Sequence, residues 1–366
     1  ARQTTAYNCF VSGAIEDSMD SIMGRATDAA ETMRRGGGIG YDFSRLRPRG
    51  DRIKSLDSRA SGAVSFMQIF DAVCQTIASS GHRRGAQMGV LRVDHPDIEQ
   101  FITAKNDGTS LTGFNISVGI TDEFMRCLEK KEPFPLQFEG RVHEEVDPVA
   151  LWDMIMRSTW DWAEPGVLFI DTINKMNNLY YCENIEATNP CGEQPLPPYG
   201  ACLLGSFNLT KYVGAGAFDY GLFTGDIHHV VRAMDNVIDR TIYPLEEQEK
   251  EAKNKRRMGL GVTGLANAGE MCGMPYASEE FMKFSTKVLK TLRDHTYGAS
   301  SLLAKEKGSF PLYDKDKYIE GKFFKTLSTW VQDQIKENGL RNSHLTSIAP
   351  TGTISLTADN VSSGIE

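Results

Sequence analysis

The sequence lacks an excess of positive charge, a long apolar run and a targeting segment. Lys and Arg number 40 and Asp and Glu number 48, so the formal net charge is −8. Proteins that bind nucleic acids or membranes through overall charge are normally basic, which disfavours both functions. No apolar run approaches the roughly 18–20 residues of a membrane span, and the first ten residues contain no apolar signal-peptide core. We therefore expect a cytoplasmic protein. A local pocket that binds a small anionic ligand is still compatible with the negative net charge.

Cysteine is scarce and odd in number, with seven residues in a chain of 366. Without an export signal, this count indicates a reducing compartment and mostly reduced thiols, some of them available for catalysis. A chain of this length buries a core without disulfide or metal staples. Because it opens without Met and stops at the sequence SSGIE, we expect both ends to be truncated.

Apolar periodicities typical of helices and of strands alternate along the chain, with no repeat and no linker between them. The predicted helices are 18–34, 62–79, 95–105, 148–163, 225–241, 278–306 and 322–337, and the predicted strands are 39–43, 86–93, 114–120, 167–170 and 202–209. Short strands alternating with helices predict an α/β fold with parallel strands, as a barrel or an open sheet. The glycine run at 259–269 follows basic residues and not a strand, so we predict helix packing or a tight turn there.

The most informative segment is NPCGEQP at 189–195. Asn189, Cys191 and Glu193 fall at alternate positions, and in an extended chain their side chains project to one side. An anionic Glu193 raises the pKa of a neighbouring thiol, which disfavours a thiolate nucleophile. No histidine lies near in sequence, so a neutral thiol performing hydrogen-atom chemistry with Glu193 as general base fits better. The alternative is a structural cysteine in a proline-rich turn.

Further segments follow the same order along the chain as those of one enzyme family. They are NCFV at 8–11 with DSMDSI at 17–22, GGIG at 37–40, NPCGEQPL at 189–196 with ACLLGSFNL at 201–209, and APTGTIS at 349–355. Together they resemble the large, catalytic subunit of ribonucleotide reductase, most closely adenosylcobalamin-dependent or short phage-type members. The resemblance implies a ten-stranded α/β barrel of two five-stranded parallel halves, with a catalytic finger loop, in a single domain over 1–366.

The resemblance also implies roles for five residues. Cys191 would carry the transient thiyl radical that abstracts the 3′-hydrogen of the ribonucleotide. Glu193 would be the base at the 3′-hydroxyl, and Asn189 would hydrogen-bond the substrate hydroxyls. Cys9 and Cys202 would supply two electrons and finish as a disulfide, which requires Cα atoms within roughly 4.4–6.8 Å. The other cysteines are expected to be structural, and they are Cys74, Cys127, Cys182 and Cys272.

Two anion sites are implied as well. The substrate phosphates would lie on the turn formed by Pro350, Thr351, Gly352, Thr353, Ile354 and Ser355, with Asn8 and Gly38 near the sugar. Backbone N–H groups and hydroxyls at a helix start bind phosphate without a lysine, although such a turn is also compatible with a plain helix start. Many relatives have Ser or Ala where this chain has Asn8.

A nucleoside triphosphate effector would bind at Asp17, Ser18, Arg47 and Lys54. Asp17 would meet the ribose hydroxyls and the basic side chains the phosphates; the alternatives are helix capping by Asp17 and a solvated basic loop. The segment 81–89 resembles the loop that relays effector identity to base choice, at a site which lies at a homodimer interface in the family.

The implied partners are a ribonucleoside di- or triphosphate substrate, a thioredoxin-type reductant and a radical generator. That generator is either adenosylcobalamin or a metal-containing small subunit, and a phage-encoded member would work in the host cytoplasm. No metal-ligand spacing occurs, so we expect no metal site in this chain. Two other functions stay open: a catalytically silent nucleotide-binding regulator, and another thiyl- or glycyl-radical barrel enzyme.

Overall fold

The computed structural model describes residues 4–53, 57–78 and 85–366, and for Ala78 and Cys202 it describes the backbone alone. The chain divides into two compact units, Ala1–Lys175 with Glu183–Gly200 and Met176–Cys182 with Ala201–Glu366. Helices alternate with parallel strands, which confirms the predicted α/β class. None of the helices in the described ranges combines the length and the apolar character needed to cross a bilayer.

The elements up to residue 200 build the first unit. Its helices are α1 (Met19–Arg34), α2 (Ala63–Ala78), α3 (Ile98–Ile102), α4 (Asp122–Lys130), α5 (Pro148–Trp162) and α6 (Ile170–Met176). Its strands are β1 (Cys9–Val11), β2 (Gly38–Asp42), β3 (Arg52–Ile53), β4 (Ser58–Arg59), β5 (Gln87–Arg92), β6 (Phe114–Ile120), β7 (Phe134–Phe138), β8 (Arg141–Val146), β9 (Gly166–Phe169), β10 (Ala187–Thr188) and β11 (Pro195–Leu196).

A parallel sheet forms the centre of this unit. Strands β1, β2, β5, β6 and β9 are neighbours in that order, and each pairing is parallel. The register aligns Val11, Gly40, Met88 and Asn115 in one row across four strands. Residues in register project from the same face of a sheet, so this row defines one face.

Strand β2 has a different character on each face. Tyr41 projects to one side, where its ring lies 4.8 Å from that of Phe70 on α2 and 5.9 Å from that of Phe114. Its hydroxyl donates a 2.7 Å hydrogen bond to the buried Gln87. The alternate positions, Gly38 and Gly40, project to the other side. The aromatic residues therefore anchor β2 to the core, and the glycines leave its opposite face open to close approach.

The elements after residue 200 build the second unit. Its helices are α7 (Tyr220–Arg240), α8 (Glu246–Lys255), α9 (Leu265–Met271), α10 (Glu279–Lys307), α11 (Lys315–Glu320), α12 (Thr329–Asn338) and α13 (Gly352–Thr357), with 3-10 turns at Leu209–Tyr212 and Phe324–Thr326. Its strands are β12 (Ala201–Cys202), β13 (Leu204–Asn208), β14 (Val213–Gly214), β15 (Ala217–Phe218) and β16 (Gly259–Thr263). Strands β13 and β16 pair in parallel, and a parallel bridge from Leu260 to Thr346 extends the pair.

The glycine run at 259–269 contains a strand, which the sequence interpretation did not predict. Its first half is the fully buried strand β16. A side chain at Gly261 would overlap the carbonyl oxygen of Ser347, so the strand tolerates no Cβ there. Gly264 adopts φ +72° and starts α9, which accounts for the predicted turn. Dense packing on the strand and a left-handed turn after it explain the glycines.

A buried ionic cluster fixes the helices of the second unit. Asp235 on α7 has no exposed surface and accepts a 2.9 Å hydrogen bond from Arg256. Lys307 lies 3.2 Å and Arg341 3.4 Å from its second carboxylate oxygen. Asn342 donates a further hydrogen bond of 3.0 Å. One carboxylate therefore ties α7 and α10 to the segments that flank β16.

The cysteines expected to be structural differ in burial. Cys74 and Cys127 are buried, as expected, and burial together with the nearby Asp71 raises the pKa of Cys74 to about 11. Cys272 is only half-buried and Cys182 is exposed, so neither belongs to the core.

Candidate active site

The loop predicted to be catalytic is the tip of a small hairpin. Strands β10 and β11 pair antiparallel and enclose residues 189–194. The N–H of Gly192 donates a 3.0 Å hydrogen bond to the carbonyl of Asn189, which closes a β-turn with Pro190 second and Cys191 third. Proline presets φ at the second position, and the φ of Cys191 is not positive, so the turn is of type I. The thiol-bearing residue therefore stands exposed at the tip of a turn.

The turn joins two of the three predicted residues directly. The side-chain amide of Asn189 donates a 2.7 Å hydrogen bond to Glu193 Oε2. Its oxygen accepts hydrogen bonds from the N–H of Gln194 at 2.9 Å and from the hydroxyl of Thr188 at 3.2 Å. Asn189 is fully buried, so these bonds fix the orientation of its amide. The hairpin, and not the extended backbone that alternation suggested, brings the amide and the carboxylate together.

The hairpin lies directly on β2. A Cβ at Gly38 would be 2.9 Å from Cγ of Pro190, and one at Gly40 would be 2.9 Å from the carbonyl carbon of Thr188 and would overlap its oxygen. Real Cβ atoms do not approach so closely, since carbon contacts are optimal at about 3.5–4.0 Å. The hairpin therefore packs directly against the backbone of Gly38 and Gly40 on β2. Gly38, expected near the substrate sugar, contacts the residue that precedes Cys191.

Cys9 shares this face of the sheet. It lies on β1, is 3% exposed, and is in register with Gly38. Residues in register point to the same side, so the Cys9 thiol projects toward the face that carries the hairpin. The neighbouring Asn8 accepts a 2.8 Å hydrogen bond from the N–H of Gly38 through its carbonyl. The side chain of Cys202, the predicted partner of Cys9, lies outside the described part of the chain.

The predicted phosphate turn begins α13 in the second unit. Thr351 has φ +50°, and its hydroxyl donates to Thr263 at 3.1 Å and accepts from the N–H of Gly364 at 2.8 Å. The hydroxyl of Ser355 donates to the carbonyl of Gly352 at 2.9 Å. Residues 352–354 are exposed, and the first N–H groups of a helix have no intrahelical acceptor. The buried hydroxyls thus shape the turn, and residues 352–354, including the hydroxyl-bearing Thr353, lie at its exposed surface.

Three of the four predicted effector residues, Asp17, Ser18 and Arg47, lie together at the start of α1. Asp17 was expected to cap this helix, but Ser18 is the cap and accepts from the N–H of Ser21 at 3.2 Å. Asp17 instead accepts a 2.6 Å charge-assisted hydrogen bond from Nε of Arg47 and a second bond, of 3.2 Å, from its backbone N–H. Lys54 and residues 81–84 of the predicted relay loop lie outside the described part of the chain.

Two polar clefts of about 540 and 580 Å³ adjoin Asp17. The larger contains three guanidinium groups, from Arg47, Arg52 and Arg141, together with His143. Three carboxylates, from Asp17, Asp51 and Glu139, line the same cleft, so its formal charges balance, and guanidinium groups of the kind that bind phosphate lie beside carboxylates.

A carboxyl group with a raised pKa lies at the carboxyl end of β2. Burial raises the pKa of Asp42 to about 7, and the nearby Glu186 adds to the shift. Hydrogen bonds from the backbone N–H of Ser44 at 3.1 Å and from its hydroxyl at 2.5 Å oppose it. Arg45, paired with Glu186 at 3.0 Å, lowers the pKa slightly. Asp42 thus changes charge near neutral pH.

Asn115 is a residue of this region that the sequence interpretation missed. It lies on β6, and its side-chain amide donates a 2.7 Å hydrogen bond to the carbonyl of Pro190. The signal was an amide near the start of the strand FNISVGI, whose other residues are apolar except Ser117. Asn is disfavoured in strands, so its presence there pointed to a specific contact.

The chain is similar to known proteins over nearly its full length. A family model described as the barrel domain of ribonucleotide reductase matches residues 7–366. The vitamin B12-dependent ribonucleoside-diphosphate reductase of Mycobacterium tuberculosis (strain CDC 1551 / Oshkosh) is 40% identical over 361 residues, which are 98% of this chain and 50% of that protein. The protein of the same name from Thermoplasma acidophilum is 40% identical over 362 residues, 98% of this chain and 45% of the relative. The vitamin B12-dependent ribonucleotide reductase of Streptomyces clavuligerus is 30% identical over an alignment of 414 residues, which covers 98% of this chain and 43% of that protein. The chain spans half the length of these relatives or less.

Proposed function

The chain belongs to the ribonucleotide reductase family, and from this we propose that it holds the catalytic centre that reduces ribonucleotides to 2′-deoxyribonucleotides. The observation that carries the proposal is the turn at 189–193. It presents the exposed Cys191 between an amide and a carboxylate that are joined by a 2.7 Å hydrogen bond. The family model runs without interruption through both units, which supports a single catalytic domain over 1–366.

In the proposed reaction, Cys191 acts as a thiyl radical and takes the hydrogen atom from C3′. Glu193 accepts the proton of the 3′-hydroxyl, and the amide of Asn189 holds the carboxylate in place for that transfer. The 2′-hydroxyl leaves as water with a proton from the pair Cys9 and Cys202. The two electrons and the second proton of these thiols go to C2′, where a C–H bond replaces the broken C–O bond, and the thiols become a disulfide. Glu193 returns its proton to the 3′-oxygen, and Cys191 returns its hydrogen atom to C3′. The pair is regenerated by a thioredoxin-type reductant.

The substrate is proposed to be a ribonucleoside diphosphate, as the names of two relatives state for those proteins. Its phosphates would bind the backbone N–H groups of Gly352, Thr353 and Ile354, which are exposed at the start of α13. Pro350 before the turn and the internal bonds of Thr351 and Ser355 hold the backbone in this shape.

The radical source is proposed to be adenosylcobalamin, since the relatives named above are vitamin B12-dependent. When bound, it supplies an organic radical that oxidises the thiol. The exposed position of Cys191 fits such a source, because a radical carried by a bulky cofactor can reach its sulfur. The alternative radical source is a metal-containing small subunit, and the exposed position of Cys191 is compatible with that source as well.

Regulation is proposed to act through a nucleoside triphosphate at Asp17, Ser18, Arg47 and Lys54, across a homodimer interface. The support is the cleft that brings three arginines beside Asp17. The aspartate that would meet the ribose is held by Arg47 at 2.6 Å, so ribose and guanidinium would share one carboxylate.

The proposal is tested with the full-length protein and the variants Cys191→Ser and Cys191→Ala. We expect both to bind the nucleoside diphosphate as the parent does and to form no deoxynucleotide. The matched control is Cys182→Ser, which removes another exposed thiol and should leave turnover unchanged. Deoxynucleotide formation by either Cys191 variant would exclude a thiyl radical on Cys191.

The same assay separates the other candidates. Activity of the parent with adenosylcobalamin alone identifies the cofactor, whereas activity only after a small subunit is added identifies the alternative. Nucleotide binding without turnover under both conditions indicates a silent regulator. A glycyl radical signal in the electron paramagnetic resonance spectrum of the activated protein would place it among glycyl-radical enzymes.

A further inference from the structure

One peptide bond in the turn anchors the segment that carries the Cys191 thiol. In the turn from Asn189 to Gly192, the central peptide joins the carbonyl of Pro190 to the N–H of Cys191. Type I and type II turns differ by a flip of this peptide, and proline at the second position is compatible with both. The carbonyl of Pro190 is separated from Cα of Cys191 by one peptide bond, so a contact that anchors this carbonyl also restricts movement of Cys191.

Asn115 holds that peptide from a different strand. Its amide donates a 2.7 Å hydrogen bond to the carbonyl oxygen of Pro190, the oxygen that reverses direction in a flip. Its position is set by the sheet, because Asn115 is in register with Met88 and, through it, with Gly40. The donor is therefore carried by the same row of residues on which the hairpin sits.

Pro190 is thereby fixed at two points. Cγ of its ring would lie 2.9 Å from a Cβ at Gly38, so the ring packs directly on β2. Its carbonyl is bonded to Asn115 on β6. Two contacts on strands that are not neighbours prevent the ring and the carbonyl from rotating together, which one contact alone would permit.

We propose that Asn115 is a positioning residue, whose hydrogen bond to Pro190 anchors the central peptide of the turn to β6 and so fixes the position of the Cys191 thiol. This inference rests on the proposed function for its catalytic consequence, but the orientation of the thiol is measurable without turnover. Asn115 touches the turn through a carbonyl and acts on the chemistry only through Cys191.

The test compares three variants of the full-length protein. Asn115→Asp is isosteric but replaces the donor with a carboxylate oxygen that faces the carbonyl, and Asn115→Ala removes the donor. The control is Ser117→Ala, a buried position two residues further along the same face of β6. Thermal unfolding establishes that all three are folded.

The first measurement is the rate at which iodoacetamide alkylates Cys191, read by mass spectrometry relative to the exposed Cys182 of the same chain. We expect both Asn115 variants to change this ratio by about threefold or more, since thiol reactivity follows its local surroundings. Ser117→Ala should leave the ratio unchanged. An unchanged ratio in both Asn115 variants would overturn the proposal.

The second measurement is steady-state reduction of the nucleoside diphosphate. A small misplacement of a reacting atom costs up to about a hundredfold in rate, so kcat should fall by about tenfold to a hundredfold. KM should change by less than about threefold, because Asn115 is proposed to act on the reacting thiol and not on substrate binding. A shifted alkylation ratio with unchanged kcat would refute the catalytic role. If the parent itself shows no turnover, the proposed function fails, and the alkylation ratio still decides the positioning of the thiol.

Discussion

The replacement Gly40→Ala tests whether the hairpin depends on the bare backbone of β2. A Cβ at this position overlaps the carbonyl oxygen of Thr188 and lies 2.9 Å from its carbonyl carbon. Both opposing groups are backbone, so no side-chain rotation relieves the overlap. Carbon atoms pack at about 3.5–4.0 Å, and the hairpin must therefore move by about 1 Å.

The magnitude follows from this displacement. Overpacking of a well-packed site costs about 1–3 kcal/mol of unfolding free energy, which a domain of this size tolerates without unfolding. Misplacement of a reacting group by 1 Å lowers the rate by about a hundredfold. We therefore expect a folded protein whose kcat falls by about a hundredfold, while its affinity for the nucleoside diphosphate is retained.

Two glycine-to-alanine controls define the assay. Gly38→Ala meets Cγ of Pro190 at 2.9 Å and the carbonyl oxygen of Ala86 at 3.2 Å, so its loss of activity should be smaller. Gly225→Ala, on the exposed face of α7 with open space around it, should raise the unfolding free energy by about 0.5–1 kcal/mol and leave kcat unchanged. Urea unfolding gives the stabilities and deoxynucleotide formation gives the rates. A Gly40→Ala protein with parental kcat would refute the view that the position of the hairpin depends on the absence of a Cβ at Gly40.

Two further predictions concern stability. The raised pKa of Asp42, about 7, means that the unfolded chain ionises at lower pH than the folded protein, so the folded protein loses stability as the pH rises from about 4 to about 7. A neutral amide at this position keeps an acceptor for Ser44 and does not ionise, so Asp42→Asn should raise the unfolding free energy more at pH 8 than at pH 5. At about 1.36 kcal/mol per pKa unit the difference is at most about 3 kcal/mol, and it is smaller because Asp42 keeps some accessible surface. Equal gains at both pH values in urea unfolding would contradict the raised pKa. Asp235→Ala should cost about 3 kcal/mol, because it removes a buried carboxylate that pairs with Arg256, Lys307 and Arg341, although Arg256 keeps its pair with Asp239. Arg232→Ala, which breaks an exposed pair with Glu306, should cost less than about 1 kcal/mol in the same assay.

The sequence predicted best those elements whose periodicity is long and regular. The strand 114–120 and the helices near 62–79 and 278–306 lie within a residue or so of β6, α2 and α10. The antiparallel hairpin of β7 and β8 was missed, since its second strand, RVHEEV, is largely exposed and polar. The strand β16 was missed because its glycines suggested a turn. The polar residues of β8 and the glycines of β16 are atypical of strands, so these strands are recognised only from their pairing in the structure.

The site was predicted in its residues but not in its geometry. The spacing of Asn189, Cys191 and Glu193 suggested an extended chain, but a closed turn brings the amide to the carboxylate at 2.7 Å. The capping role expected of Asp17 belongs to Ser18, one residue later. Each difference depends on a hydrogen bond between residues whose distance the sequence does not specify.

The two faces of β2 explain why these features belong together. Its odd positions, such as Tyr41, bind the strand to the aromatic core, which fixes its backbone. Glycine is disfavoured inside strands, because it loses more conformational entropy and packs no side chain. Gly38 and Gly40 are nevertheless placed where the hairpin needs backbone-to-backbone contact. The rigid aromatic face therefore offsets the weak glycine face, and the turn that carries Cys191 rests on a strand whose position is set by the core.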